Sequence, residues 1–230
     1  MPETPTLRLN KHLALQLGVS RREADDLIDR GRVTINGNAA TLGARFNLGD
    51  QIIVNGKVLA SDTAYEYLIL HKPADYVCSR RQQGDTPTIY ELLPAKYHHL
   101  KPVGRLDRDS SGIILLTNDG NFAFQMTHPK FAKTKIYQAT LDSELAPLHQ
   151  QMISDYGVQL EDGTSTLQLE RASDTDRKHW IVTMHEGRNR QIRRTFASLG
   201  YTVTELHRTN FGNYALGDIK PGEFEVTNIQ

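Results

Sequence analysis

Ten residues, Val103-Gly104-Arg105-Leu106-Asp107-Arg108-Asp109-Ser110-Ser111-Gly112, set two carboxylates among arginines in a glycine-bounded loop. The loop feeds directly into an apolar run, Ile113-Ile114-Leu115-Leu116. A carboxylate carried on a rigid strand suits a catalytic acid, base or nucleophile. The same residues would also make an ordinary surface Arg–Asp network, which needs no chemistry. A second segment, Glu186-Gly187-Arg188-Asn189-Arg190-Gln191-Ile192-Arg193-Arg194, crowds four arginines at the start of a helix. Their charges oppose the positive end of the helix dipole. A phosphate or carboxylate partner would offset that cost, although a solvated basic turn is an equal alternative. A third, Lys133-Thr134-Lys135-Ile136-Tyr137, runs a basic pair into a strand that carries a tyrosine. Stacking on a base beside a phosphate would call for that pattern, but a strand tyrosine is also common packing.

The elements that hold these segments follow from spacing. Leu9, Leu13 and Leu17 recur at helical intervals and Gly18 closes the helix. Ser20 and Glu23 have capping-box spacing at the start of a second helix, whose apolar face is Ala24, Leu27 and Ile28 and which Gly31 ends. Val33 and Ile35 alternate as in a strand, followed by the turn pair Asn36-Gly37. A strand at 52–54 runs into a second turn pair, Asn55-Gly56. The small polar stretch 60–64 reads as a linker, and residues 1–6 as a loose tail. Beyond the linker, strands are expected near 66–70, 112–117, 136–141, 166–169 and 180–184, with helices near 121–127, 145–156 and 190–199. Without regular βαβ alternation this predicts an α+β chain. A small helical and hairpin domain at 7–59 is followed by a largely antiparallel mixed-sheet domain at 65–230.

Composition bounds the function. The chain has 230 residues, 38% hydrophobic and 23% charged, which argues against a collagen-like repeat, a disulfide scaffold or a mostly disordered chain. No stretch approaches the length of a membrane helix, and no early apolar run reads as a signal peptide. The single cysteine, Cys78, cannot form an internal disulfide or a multi-thiolate metal site. A reducing cytoplasm is the expected compartment. The 27 basic and 27 acidic side chains cancel, which weighs at first sight against binding a polyanion. The cancellation is between segments, however. Residues 1–60 carry eight basic and six acidic groups, residues 185–208 five and two, and residues 139–176 eight acidic groups and only Arg171.

Together the three charged segments resemble the RsuA/RluB/RluE/RluF family of rRNA pseudouridine synthases. Gly104-Arg105-Leu106-Asp107 with Ser110 and Gly112 matches the family's Gly-Arg-Leu-Asp motif, Ser110 replacing the usual Thr. Leu116-Thr117-Asn118-Asp119-Gly120, Lys135-x-Tyr137, the run from Glu186 to Arg193 and Lys72-Pro73 also match. The N-terminal unit is similar to the S-four-type RNA-binding module in its Ser20-Arg21-Arg22-x-Ala24 helix start and its Gly31-x-Val33-x-x-Asn36-Gly37 turn. One departure is Asn10, where an Asp is frequent.

The resemblance implies an isomerase that needs no cofactor and no metal. Asp107 is then the catalytic carboxylate, Arg193 its bidentate partner, and Tyr137 the ring that stacks on uracil and helps move a proton. A base enclosing the site would strip water from Asp107 and disfavour its charge, so a guanidinium is needed beside it. Whether Asp107 attacks the ribose or removes a sugar proton is left open. Arg105, Lys135, Arg188 and Arg190 are expected on RNA in the catalytic domain, and Lys11, Ser20, Arg21, Arg22 and Arg30 in the N-terminal module. The expected partner is ribosomal RNA or a pre-ribosomal particle, met by a monomer with no membrane contact. The acidic stretch 139–176 is expected to face away from it. The fuller arginine run inclines the reading to large-subunit over small-subunit rRNA. The rivals are a non-catalytic RNA-binding or ribosome-assembly protein, and a metal-dependent phosphodiesterase built on Asp107 and Asp109.

Overall fold

A computed structural model describes residues 7–47, 49–59 and 64–228. The expected tail at 1–6 and most of the expected linker lie outside them. The chain divides into two units, Met1–Tyr65 and Glu66–Gln230.

In the first unit the capping box forms. The Ser20 hydroxyl accepts from the Glu23 N–H at 3.1 Å, and the Glu23 carboxylate accepts from the Ser20 N–H at 2.6 Å. Helix α1 (Leu9–Gln16) and helix α2 (Arg21–Asp29) bury Leu9, Leu13, Ala24 and Ile28. These meet Val33, Ile52 and Val54 from a four-stranded antiparallel sheet. Its strands are β1 (Val33–Ile35), β2 (Asn38–Ala39), β3 (Ile52–Val54) and β4 (Lys57–Val58), in the order β2-β1-β3-β4. Asn36 and Asn55 take left-handed backbone angles at the two hairpin turns, φ 49° each, as Asn-Gly turns require. Asn10 has a physical reason. Its amide donates to both oxygens of Asp25 (2.9 and 3.1 Å) and its carbonyl accepts from Arg21. An aspartate there would face the Asp25 carboxylate.

The second unit is built on a nine-stranded mixed sheet with few helices. Its principal strands are β5 (Tyr67–Lys72), β6 (Ser111–Thr117), β7 (Lys135–Leu141), β8 (Gln168–Ser173), β9 (Asp176–Met184), β10 (Val203–Phe211) and β11 (Phe224–Thr227). Their order is β8-β9-β7-β10-β6-β5-β11. β5 and β6 are apolar on both faces because both are covered. Tyr67, Ile69, Ile113 and Leu115 pack with Phe122 and Met126 of α3 (Gly120–Thr127), whereas Leu68, Leu70, Ile114 and Leu116 pack with Ile89 and Leu100. A third core gathers Trp180, Val182 and Phe196 around β7, β9 and α5 (Gln191–Ala197).

Several boundaries differ from the sequence expectation for local reasons. The helix expected at 145–156 begins at Pro147, because a residue preceding proline disfavours helical angles and Ala146 is extended (ψ 142°). It comprises α4 (Pro147–Gln151) and then a π turn, Met152–Tyr156. Residues 158–165, for which the sequence suggested no element, form a hairpin of Val158–Leu160 with Gly163–Ser165. This displaces the strand expected at 166–169 to β8. β10, absent from the expectation, is central.

The β10–β6 pairing is parallel, His207 opposite Ser111 and Arg208 opposite Gly112. It brings the backbones so close that a Cβ on Gly112 would lie 2.1 Å from the Arg208 carbonyl oxygen, at φ +110°. Gly112→Ala is therefore expected to cost more than about 2 kcal/mol in denaturant unfolding, through overpacking and backbone strain. Gly200→Ala, also at positive φ but in open space, should cost only about 1 kcal/mol. Equal losses would contradict the close approach.

Candidate active site

The loop between Gly104 and Ser111 is tied down from several sides. Beneath it lies Lys72, fully buried at the end of β5, whose ammonium donates to the carbonyls of Pro73 (2.8 Å), Arg108 (3.3 Å) and Ser110 (2.6 Å). Three donors thus meet three acceptors. Burial pushes the Lys72 ammonium down to about 8, against the raising pull of Cys78, Asp109, Asp75 and Asp107. The Asp75 N–H also donates to the Arg108 carbonyl (2.7 Å), and the Leu106 N–H to the Cys78 sulfur (3.4 Å).

The loop's second carboxylate binds the arginine helix. Arg190 donates to both oxygens of Asp109, at 2.9 and 2.7 Å, and its Nη1 lies 3.6 Å from Asp107. Arg193 bonds the Asp109 carbonyl (2.8 Å) and the Val203 carbonyl, with its Nε 3.3 Å from the Asp109 carboxylate. The hydrogen bonds from Arg190 hold the Asp109 carboxyl below its ordinary range, helped by the Arg193 and Arg190 charges against burial. The expected bidentate pairing of Arg193 with Asp107 is thus corrected. Arg193 braces Asp109 and the start of β10, and the guanidinium within reach of Asp107 belongs to Arg190. The cause is backbone geometry. Arg190 sits just before α5 in the left-handed region (φ +46°), outside the helix expected from 190. A non-glycine residue held there is strained, and such strain collects at functional sites.

Asp107 opens onto a cleft of about 440 Å³ that Arg105, Tyr137, Arg190 and Arg208 also line, a volume in the range of small-ligand sites. Tyr137 is buried on β7, with the Arg208 guanidinium 5.9 Å from its ring centre. The Tyr137 hydroxyl makes no hydrogen bond among the described residues. Arg208 is 2% exposed, donates twice to the Ile113 carbonyl and has no carboxylate partner among the described residues. Lys135, half-buried, donates to the Lys133 and Glu186 carbonyls. Burial, then the Arg208 charge, lowers its affinity for a proton. The cleft thus carries two close cations, of which Lys135 feels the neighbouring Glu186 charge and Arg208 has no carboxylate partner among the described residues. Sequence reasoning missed Arg208 as a site residue, since a lone arginine in a polar strand carries no motif, and it gave Lys72 no role of its own.

The remaining sequence-selected residues separate. Arg105 is exposed in the cleft and makes no hydrogen bond or ion pair among the described residues. Arg188 lines the cleft, and its guanidinium donates to Asp162, the Gly163 and Thr164 carbonyls and Glu186, which ties the 158–165 hairpin to the cleft wall. Asp162 also takes Arg194 at 2.7 Å. None of the carboxylates in 139–176 lines the cleft. In the first unit Ser20 caps α2, Arg21 and Arg22 are exposed on its first turn, Lys11 is half-buried on α1, and Arg30 lies at the far end of α2. A helix rise of about 1.5 Å per residue puts Arg30 about 15 Å from Ser20 along the axis, so these positions do not form one contact point.

The model of the RNA pseudouridylate synthase family matches residues 66–198, and that of the S4 domain residues 7–52. The chain belongs to the RNA pseudouridylate synthase family. Its members are isomerases that convert uridine to pseudouridine. The synthase is similar to the ribosomal small subunit pseudouridine synthase A of Pasteurella multocida, 35% identical with 97% of each chain covered. It is also similar to the ribosomal large subunit pseudouridine synthase B of Bacillus subtilis, 33% identical with 94% of this chain and 90% of that one covered. A crystal structure of a pseudouridylate synthase superimposes with a TM-score of 0.68 at 31% identity, covering 96% of both chains. Among the described residues no helix of the synthase is long and apolar enough to cross a membrane.

Lys72→Met keeps the length and strips three hydrogen bonds from the loop carbonyls. Leaving buried acceptors unpaired should cost about 3 kcal/mol. Because Lys72 loses its proton more readily folded than unfolded, the wild-type synthase should gain stability as pH rises from about 8 toward the ordinary lysine value of 10.5. The variant should lack that gain in unfolding measured across this range. A variant with the wild-type pH slope would contradict the assignment.

Proposed function

We propose that the synthase isomerises a specific uridine of ribosomal RNA, with Asp107 as the reacting carboxylate. The observation that carries this reading is the placement of Asp107 in one cleft with Tyr137, Arg105, Arg190 and Arg208. The target nucleotide is flipped from its stack into that cleft, at a cost of a few kcal/mol. The bond from ribose C1′ to uracil N1 breaks, the ring turns, and a bond from C1′ to C5 forms. The C5 proton leaves and N1 ends protonated, so product and substrate are isomers and no outside group is consumed. Arg190 sustains the Asp107 charge when the base excludes water. Tyr137 stacks on the ring, its hydroxyl available for the C5 proton. Arg208 and Lys135 meet the polar edge or phosphate of the bound nucleotide, and the exposed Arg105 holds the flipped form. Arg193 acts through Asp109 as a positioning residue. The N-terminal module adds phosphate contacts through Lys11, Arg21, Arg22 and Arg30.

The relatives' names divide between small- and large-subunit synthases. We favour large-subunit rRNA on the fuller arginine run from Arg188 to Arg194, in a cytoplasmic setting where ribosomes are assembled.

Mapping pseudouridines in 16S and 23S rRNA, from cells with and without the gene, tests the substrate. One site should disappear with the gene, on 23S rRNA by this reading; an unchanged map would contradict it. Purified Asp107→Asn should form no pseudouridine while binding rRNA within a few-fold of wild type, and measurable turnover would remove Asp107 from its role. Tyr137→Phe should retain more activity than Tyr137→Ala, since it keeps the ring; equal activity would contradict stacking. Deleting residues 1–60 should weaken rRNA binding and flatten its dependence on salt. An unchanged slope would mean that the module makes no phosphate contacts.

A further inference from the structure

Beside the cleft stands a group of aromatic side chains that the reaction does not use. Phe124 and Phe131 are 46% and 38% exposed, with ring centres 5.7 Å apart and planes at 90°. His128 lies 4.7 Å from the Phe124 ring, and the Lys130 ammonium sits 5.1 and 4.7 Å from the two phenylalanine centres. Packing does not require this exposure. α3 is already anchored by Phe122 and Met126, and the Phe122 ring meets Tyr67 and Tyr214. Phe124, two positions from each anchor, falls on the outer side of the helix.

We propose that Phe124 and Phe131 form a stacking platform for an unpaired base of the substrate RNA next to the flipped uridine, with Lys130 on that nucleotide's phosphate. This rests on RNA being the substrate of the cleft. Two observations choose the occupant. The platform is continuous with the cleft, because Thr127, His128, Pro129 and Lys133 line it. The charge is also complementary, since Lys130 has no carboxylate partner among the described residues and Lys133 and Arg105 extend the positive rim into the cleft. Every base has a face that stacks on an aromatic ring, so the platform reads unpaired structure more than sequence. An exposed ammonium over a ring is held weakly and can move to a phosphate, where its contact is charge-assisted. Flipping one nucleotide breaks the stacking of its neighbour, and the platform replaces that lost contact.

The test uses the full chain. In the double variant Phe124→Leu/Phe131→Leu, apolar packing persists and the aromatic faces are lost. We expect its KM for transcribed rRNA to rise about tenfold with kcat within about twofold. The Phe124→Tyr/Phe131→Tyr variant should stay within about twofold of wild type in both. A fluorescein-labelled oligouridylate of about 12 nucleotides gives a readout independent of turnover. Its affinity should fall about tenfold in the leucine variant and hold in the tyrosine variant. The proposal is overturned if the leucine variant keeps wild-type KM and oligonucleotide affinity. It is equally overturned if the tyrosine variant is as impaired as the leucine one, or if the wild type does not bind the oligonucleotide. A lower unfolding temperature with unchanged RNA affinity would make the cluster packing alone. A wild-type chain that binds the oligonucleotide through these rings yet modifies neither rRNA would support the platform and fail the functional reading instead.

Discussion

The bidentate pair between Asp109 and Arg190, braced by Arg193, joins two segments 81 residues apart. Its stabilising effect is modest. The Asp109 and Arg190 side chains are 45% and 42% exposed, and such pairs contribute about 0–1 kcal/mol. Position is what the pair supplies. A guanidinium fork fixes distance and plane together, so it holds the loop carrying Asp107 against the start of α5 and leaves an Arg190 nitrogen 3.6 Å from the Asp107 carboxylate. The arginines that strain the end of the helix thereby gain the anions that their charges demand. Asp162 does the same for Arg188 and Arg194.

The rest of the unit makes that pairing possible. Lys72 fixes the loop from below through backbone carbonyls, which leaves the loop's side chains free to face the cleft. The parallel β10–β6 contact depends on Gly112 and brings Arg208 under Tyr137. Burying Arg208 without a carboxylate partner among the described residues is costly in the free protein. On the function proposed above, a bound nucleotide brings negative charge to Arg208, and relieving that cost adds to binding. The cancellation of charges over the whole chain conceals this arrangement, because the acidic stretch 139–176 turns Asp162 toward arginines and leaves none of its carboxylates lining the cleft.

Much of this was legible in the sequence wherever one residue's chemistry sets local geometry. Ser20 with Glu23, Asn36-Gly37 and the Ile113–Leu116 run each specify their own element, and the charged loop and the arginine run announced a site. What was not legible depends on tertiary placement. β10 reads as polar because His207 and Arg208 interrupt its apolar pattern, and only the sheet makes it central. The 158–165 hairpin did carry a local signal, the Asp162-Gly163 pair, which went unread. The exchange of partners between Arg190 and Arg193 turns on one left-handed residue, and neighbouring arginines in a sequence do not say which of them leaves the helix. The partners of Arg188 depend on tertiary placement in the same way. Its charge is visible in the sequence, but the hairpin carbonyls that absorb it are not.

The central claim is that the Asp109 frame, and not loop sequence alone, presents Asp107 to the cleft. The most direct measurement is the single-turnover rate of Asp109→Ala on its rRNA substrate, with the bound fraction saturated so that affinity does not enter. The account predicts a fall of at least about tenfold, the scale of one lost positioning interaction, in a protein that unfolds within about 1 kcal/mol of wild type. A variant that turns over at the wild-type rate would contradict it.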